Sequence, residues 1–531
     1  MIIATNTKKS WALYFFLASI FSVMSVLKYQ NLNSTYFDFG VFLNNCYMVS
    51  LGHWQRIFVS HVQPFSFIFS LPYQLSPSLF PVFLLAIQSA LLALPIIGLN
   101  KHYGLIPALA FLLYFPIWYI ALFDFHIDHL AIPLLFAFFF FEREGKITQA
   151  IIMAISLAFV KEIFSLQAAF CGIFLILSRK KWTAGILLFS FGIVYFYFAA
   201  HYFQRYFSIA PLMDHLLLDL SSASLTLKES STFIGKSEIQ IVTLIITNLP
   251  YALWEIISNP DKIKYLIYIF GALGCISFLS LRTLVVLLPI LSVNLFFENK
   301  PYYGHTNHYT AGLIAPIIIA FAEGLPIAKQ YWAKIKLPTK SFTPIIVSGL
   351  VLAHILISPS PIGRYFYLKE SNLNHNIYKN NERNVWIKSK ILKFIPSDSN
   401  IIISTQNSIN FDHIINRKNV FVFPDGSTKS TPIINSEMKT WSGFWEYIKN
   451  NDYHEISHEF KLADYVILDL KKPWFINDKG CRWVGTKCTE SKIFEEKFLH
   501  HVNIAKKVFD TVYDKDQFLI LKRSSNSQSL L

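Results

Sequence analysis

Long apolar runs separated by short polar loops constrain this chain more than any other feature. They follow one another from Trp11 to Ile357, and several match the roughly 20 residues that a helix needs to cross a bilayer. After Ser358 Lys, Asn, Asp and Glu become frequent, and no long apolar run returns. The pattern predicts an α-helical polytopic membrane domain over residues 1–360 and a soluble α/β domain over residues 361–531.

Composition and charge narrow the classes of function. The chain is 53% hydrophobic and only 15% charged, with a formal net charge of +14. A nucleic-acid partner is not expected from that charge, because many of the basic residues lie in short loops between apolar runs, where the positive-inside rule accounts for them. Of the five cysteines, Cys481 and Cys488 are close enough to predict a local disulfide in an oxidising compartment, and their spacing predicts no zinc site.

The basic loops also predict an orientation. With Lys8 in the cytoplasm, alternating crossings place the basic loops inside and give about eleven transmembrane helices. The first apolar run is interpreted as a retained signal anchor, since no cleavage site follows it. We therefore expect a multi-pass protein of the cytoplasmic (inner) membrane, with the N-terminus inside and the C-terminal domain outside. The polar segments 29–80 and 201–264 become external loops on the same face as that domain.

Two regions carry more detailed structural predictions. The apolar stretch 147–177 is too long for one crossing and is expected to form two short helices that meet at Lys161 and Glu162, where the charged pair can reach water. The C-terminal part predicts alternating helix and strand. The expected elements are a helix at Glu382–Phe394 and strands at Asn400–Ser404, Asn419–Phe423, Asp464–Asp469 and Gln517–Lys522.

The stretch from Tyr36 to His61 is expected to carry the functional site of the protein. It carries Asp38 soon after the first span, and a carboxylate beside the hydrocarbon boundary is costly unless it is hydrated, paired or used. The alternative is that Asp38 only caps the helix that starts near Val41, since Asp is a favourable N-cap residue.

The predicted outer face collects carboxylates, imidazoles and cations from several loops. Such a mixture can abstract a proton, hold a divalent cation and bind a phosphate. Glycosyl transfer from a polyprenyl-phosphate sugar has these requirements. Structural interpretations stay open: His126 and His129 as interface residues, Lys161 with Glu162 as an ion pair, and the many aromatic residues as lipid-facing belts.

Short motifs, in order along the chain, carry a resemblance that covers nearly the whole sequence. They are FDFG at 37–40, H-x-x-P at 61–64, LPY at 71–73, Gln88, FH at 125–126, KE at 161–162, HY at 308–309 and ADYVILD at 463–469. They resemble a prokaryotic family of multi-spanning membrane proteins of unknown function. The architecture of that family is similar to the GT-C glycosyltransferases, which include protein O-mannosyltransferases and lipid A aminoarabinose transferases.

The resemblance implies a catalytic acid in the first outward loop and a polyprenyl-phosphate sugar as donor. Asp38 maps onto that acid and is the expected catalytic residue, although Phe39 follows it where such loops often carry a second acid. The residues expected to bind the donor phosphate or the substrate are Arg56, His61, Lys161, Glu162, His305, His308 and Tyr309. The residues expected to bind a divalent cation, Mg²⁺ or Mn²⁺, are Asp124, His126 and Asp128.

Three functions are compatible with the sequence. The first is a transferase with three kinds of partner: the polyprenyl-phosphate donor, membrane lipid, and an envelope glycan, lipid or protein acceptor. The second is a transporter or flippase of a lipid-linked or anionic solute, which would favour internal repeats and charges distributed through the bundle; no repeat is visible. The third is a non-catalytic envelope assembly protein, because the C-terminal domain has no evident chemistry.

Overall fold

The computed structural model describes most of residues 1–360 and part of residues 361–531. The described residues are 7–34, 39–52, 54, 61–203, 248–296, 302–304, 306–396, 399, 401–404, 420–422, 463–471, 499, 502–503 and 505–524. The predicted Cys481–Cys488 disulfide and most of the predicted loop 201–264 lie outside them.

Helices make up the described part of the membrane domain. Their bounds are α1 Thr7–Gln30, α2 Val41–Ser50, α3 Pro64–Ser70, α4 Phe80–Ala93, α5 Pro95–Tyr103, α6 Leu105–Leu113, α7 Phe115–Phe123, α8 Ala131–Arg143, α9 Ile147–Ala158, α10 Glu162–Arg179, α11 Trp182–Phe198, α12 Leu249–Ile257, α13 Pro260–Gly271, α14 Leu281–Leu284, α15 Leu288–Phe296, α16 Ala311–Lys334 and α17 Thr339–Ile357. The break expected at Lys161 and Glu162 is confirmed, since α9 ends at Ala158 and α10 begins at Glu162. The expectation that this charged pair reaches water is wrong, because both side chains are buried and each pairs with another residue.

Fewer helical spans than expected are long and apolar enough to cross a membrane. The described residues contain five, one of which is α4 continued by α5, or six if the pair α6 and α7, bent by 52°, is one span. They do not support the expected count of about eleven, which rested on counting apolar runs. A hydropathy pattern does not show where the helix is interrupted within an apolar run, so it counts interrupted runs as complete spans. Pro116, in the first turn of α7, lacks the backbone N–H that would continue a helix from α6.

Glycine contacts hold α10 close to α11. A Cβ at Gly172 would lie 2.4 Å from the carbonyl oxygen of Gly185, and one at Gly192 would lie 2.3 Å from that of Ser165. Close backbone approach through small residues is a common way to pack helices in membranes. The contact at Ser165, one turn into α10, fixes the helix end that begins with Glu162.

The described C-terminal strands form one mixed sheet of five strands in the order β2-β1-β3-β5-β4. The strands are β1 Ile401–Ser404, β2 Val420–Val422, β3 Tyr465–Asp469, β4 Phe509–Lys515 and β5 Phe518–Arg523. β1 runs parallel to β2 and β3, whereas β5 runs antiparallel to β3 and β4. Helix α18, Glu382–Phe394, packs Trp386 against Phe518 of this sheet. All four predicted strands and the predicted helix are confirmed, and β4 was missed.

The end of α1 is tied to the segment that leads into α18. Asn31 Nδ2 donates to the carbonyl oxygen of Tyr378 at 3.0 Å, and Asn33 Nδ2 donates to that of Ile377 at 2.9 Å. In return, Asn384 Nδ2 donates to the carbonyl oxygen of Asn31. These amide contacts hold the start of the loop after α1 against the first turn of α18 and the chain that leads into it.

Candidate functional site

Three of the predicted site residues, Asp38, Arg56 and His305, lie outside the described residues. The other predicted residues, except Asp124, gather where the loop between α7 and α8 meets the start of α10 and the start of α16.

A glutamine on α4 organises the loop between α7 and α8. Gln88 Nε2 donates to the carbonyl oxygen of Asp124 at 2.9 Å, and its Oε1 accepts from the backbone N–H of His126 at 3.0 Å. The same Oε1 lies 2.8 Å from His129 Nδ1. A buried amide that satisfies three groups at once fixes the backbone of the loop. The loop then turns through the 3₁₀ helix Ile127–Leu130 into α8.

Asp128 is the centre of the first polar group. Its Oδ2 lies 3.5 Å from Lys161 Nζ, and its Oδ1 lies 3.4 Å from His126 Nδ1. The His308 ring, at the start of the 3₁₀ turn that leads into α16, stacks on the His126 ring with centroids 3.9 Å apart and planes 17° apart. Asp128 and His308 are 3% and 5% exposed. The loop, the start of α10 and the start of α16 therefore converge on one carboxylate.

A second contact, between His61 and Glu162, lies beside the polar group around Asp128. His61 Nδ1 is 2.7 Å from Glu162 Oε1, and the backbone N–H of Val62 donates to Glu162 Oε2 at 2.9 Å. The side chain of His61 is 41% exposed, whereas that of Glu162 is 8% exposed. Glu162 therefore anchors the end of the first loop region to α10, next to Lys161.

Asp124 does not join this group, although it was predicted with His126 and Asp128 as a metal ligand. Its Oδ1 lies 3.1 Å from Lys28 Nζ, which also donates to the backbone carbonyl oxygens of Leu122 and Phe123. Lys28 was not predicted as a site residue, because a lysine at the end of a first span is ordinary. His308, predicted to bind substrate, stands with His126 and Asp128 instead.

Electrostatics keep Lys161 and Asp128 charged. Burial by itself would raise the pKa of Asp128, but the Lys161 ammonium and His126 hold that pKa well below its usual range. Burial would lower the pKa of Lys161, and Asp128 together with Glu162 raises it above its ordinary value. Lys161 also precedes the first residue of α10, where the helix dipole is positive. Lys161 therefore keeps its positive charge in the folded protein, and that charge can bind an anion.

Aromatic contacts join the first loop to this site. The ring of Phe39, the residue after Asp38, lies 6.4 Å from the ring of Phe125, and Phe42 lies 4.7 Å from it. Phe125 immediately precedes His126. The chain on the C-terminal side of Asp38 therefore packs against the loop that carries the first polar group. Tyr309 completes the aromatic surroundings, with its ring 4.1 Å from that of His308.

Comparison with known proteins identifies one family. The family described as "Predicted membrane protein (DUF2079)" matches residues 28–440, a range that includes every predicted site residue. No curated protein and no solved structure matches the chain.

Proposed function

The chain belongs to the DUF2079 family of predicted membrane proteins, and we propose that it is a glycosyltransferase. It would transfer a sugar from a polyprenyl-phosphate donor to an acceptor on the outer face of the cytoplasmic membrane. The acceptor is an envelope glycan, lipid or protein. The GT-C-like architecture, the orientation and the boundary near residue 360 belong to the same proposal.

One observation supports this proposal most strongly. Lys161 is a buried lysine that lies among carboxylates and imidazoles, beside the place where the chain after Asp38 packs against Phe125. The Lys161 side chain is 11% exposed and the Asp128 side chain 5% exposed, so both are largely shielded from water. Buried charges in membrane proteins are costly and default to functional hypotheses. The contact of Phe39 with Phe125 brings the chain that follows Asp38 to the same place.

The proposed reaction is a single displacement at the anomeric carbon. Asp38 takes the proton of the acceptor hydroxyl, whose oxygen forms a bond to that carbon as the bond from carbon to the phosphate oxygen breaks. The electron pair leaves with polyprenyl phosphate, and Lys161 at the start of α10 stabilises the negative charge that develops there. Asp128 and Glu162 keep Lys161 charged and in place, and His61 positions Glu162.

Purified protein in liposomes tests this function. Donors that carry a radiolabelled sugar are added as a panel of polyprenyl-phosphate sugars, with envelope acceptors supplied outside. A transferase moves label from the lipid to the acceptor in the wild-type protein. A flippase moves intact donor between leaflets without breaking the bond to phosphate, and an assembly protein does neither. Either of these last two results would overturn the proposal.

A further inference from the structure

We propose that His126, Asp128 and His308 form a binding site for a transition-metal ion of the Zn²⁺ class. One ligand atom from each of the three residues lies within 4.8 Å of the other two. The ligands come from two separate parts of the chain, since His126 and Asp128 belong to the loop before α8 and His308 leads into α16. Binding would therefore join two segments of the bundle.

Unpartnered buried atoms point to a missing cation. Asp128 Oδ1 and His308 Nδ1 are both buried, and neither has a hydrogen-bond partner among the described residues. Buried polar atoms are normally hydrogen-bonded or bound to an ion, because burial without a partner is unfavourable. Lys161 satisfies the other carboxylate oxygen, Oδ2, and so leaves Oδ1 available.

His126 brings a second ligand atom close to Asp128. Its Nδ1 lies 3.4 Å from Asp128 Oδ1, about the separation of two ligand atoms on one tetrahedral ion. The same nitrogen accepts a long hydrogen bond of 3.3 Å from the backbone N–H of Asp128. A metal ion bound to both Nδ1 and Oδ1 would take the place of that hydrogen bond.

Support for the ligands is already present. Gln88 accepts from the backbone N–H of His126 and holds His129, the residue after Asp128. These contacts fix the backbone that carries His126 and Asp128, so the two ligands are held near each other before a metal binds. A tetrahedral ion with bonds of about 2.1 Å holds its ligand atoms roughly 3.4 Å apart. The three ligand atoms now lie within 4.8 Å of one another, so rotation of the side chains would need to draw them together by about 1.4 Å at most.

The ligand types identify the class of metal. Two imidazoles and one carboxylate suit Zn²⁺ and its transition-metal neighbours, whereas Mg²⁺ prefers oxygen ligands and keeps its water. Three protein ligands leave a fourth position open to water or to an anionic oxygen, as in catalytic zinc sites. The inference differs from the sequence-based expectation in its third ligand, His308 instead of Asp124. Metal binding does not depend on the proposed transferase activity.

Direct titration tests the site. Full-length protein without an affinity tag is purified in detergent, stripped with a chelator, and titrated separately with Zn²⁺ and with Mg²⁺ while bound metal is measured. We expect one tightly bound Zn²⁺ per chain and no competition from Mg²⁺. His308→Ala and Asp128→Asn should each weaken that binding by about 10-fold or more, because each removes a ligand.

Two measurements keep the test independent of folding defects. His354→Gln is the matched control, since His354 is a buried histidine whose two ring nitrogens are both hydrogen-bonded: Nδ1 donates to the carbonyl oxygen of Leu113, and Nε2 accepts from Ser360 Oγ. It should keep the Zn²⁺ site. Wild-type protein loaded with Co²⁺ should show the visible absorption of a four-coordinate ion bound to nitrogen and oxygen. Absence of tight Zn²⁺ binding in the wild type, equal preference for Mg²⁺, or a folded His308→Ala protein with unchanged Zn²⁺ affinity would overturn the proposal.

Discussion

Replacing Lys161 by glutamine separates a phosphate-binding lysine from a structural ion pair. Glutamine keeps much of the length and the hydrogen-bonding capacity but removes the charge. If Lys161 binds the donor phosphate, the loss of a charge-assisted contact of about 1.5–3 kcal/mol weakens donor binding by roughly 10- to 150-fold. The side chain is only 11% exposed, so water replaces the contact poorly.

Lys161→Gln also affects stability, because it leaves the Asp128 carboxylate buried without its cation. Breaking one side of a buried pair typically costs about 3–5 kcal/mol. The double variant Lys161→Gln with Asp128→Asn removes both charges and should recover most of that loss. It should not recover donor affinity, because the phosphate still lacks its cation.

The assay compares donor binding and thermal unfolding on the same samples, in the presence of a chelator. Donor affinity is measured with a non-hydrolysable polyprenyl-phosphate sugar analogue in nanodiscs. Lys101→Gln is the control: the Lys101 side chain is 60% exposed and pairs with Glu144, and such surface pairs contribute about 0–1 kcal/mol. Unchanged donor affinity in Lys161→Gln, or recovery of affinity together with stability in the double variant, would refute the phosphate-binding role.

The remaining predictions concern the base, the first span and the orientation. Asp38→Asn should lower the rate of transfer by about 10² to 10⁴ fold while donor binding survives, and a folded variant with full activity would exclude Asp38 as the base. Lys28→Met should destabilise the protein by about 3–5 kcal/mol, since it removes the cation that pairs with the buried Asp124 carboxylate; chemical denaturation measures this, and a change below about 1 kcal/mol would contradict it. Topology reporters should be cytoplasmic after Lys181 and external near Thr306, and the reverse pattern would place the site on the wrong face.

Local sequence patterns predicted the secondary structure well. The break at Lys161 and Glu162 followed from an apolar stretch too long for one crossing. The strand at Tyr465–Asp469 followed from a β-branched and aromatic run. Strand Phe509–Lys515 was missed because it lies at the edge of the sheet, where only Phe509 is buried, and its Asp and Lys residues are typical of a surface segment.

The pairing of charges could not be read from the sequence. Asp124 and Asp128 belong to the same short loop, yet one pairs with Lys28 on α1 and the other with Lys161 before α10. Which lysine reaches which carboxylate depends on the crossing of helices that are distant in sequence. A usable signal existed for Gln88, an amide inside an otherwise apolar helix, which must find hydrogen-bond partners when buried.

The chemical fate of the donor tests the central claim most directly. In a polyprenyl-phosphate sugar the phosphorus is a diester, and transfer of the sugar leaves polyprenyl phosphate, a monoester with a different ³¹P resonance. Wild-type protein with its donor and acceptor should convert the diester signal into the monoester signal, in step with labelled acceptor, while Asp38→Asn should not. A folded wild-type protein that binds donors across the panel and leaves every diester signal unchanged would contradict the account.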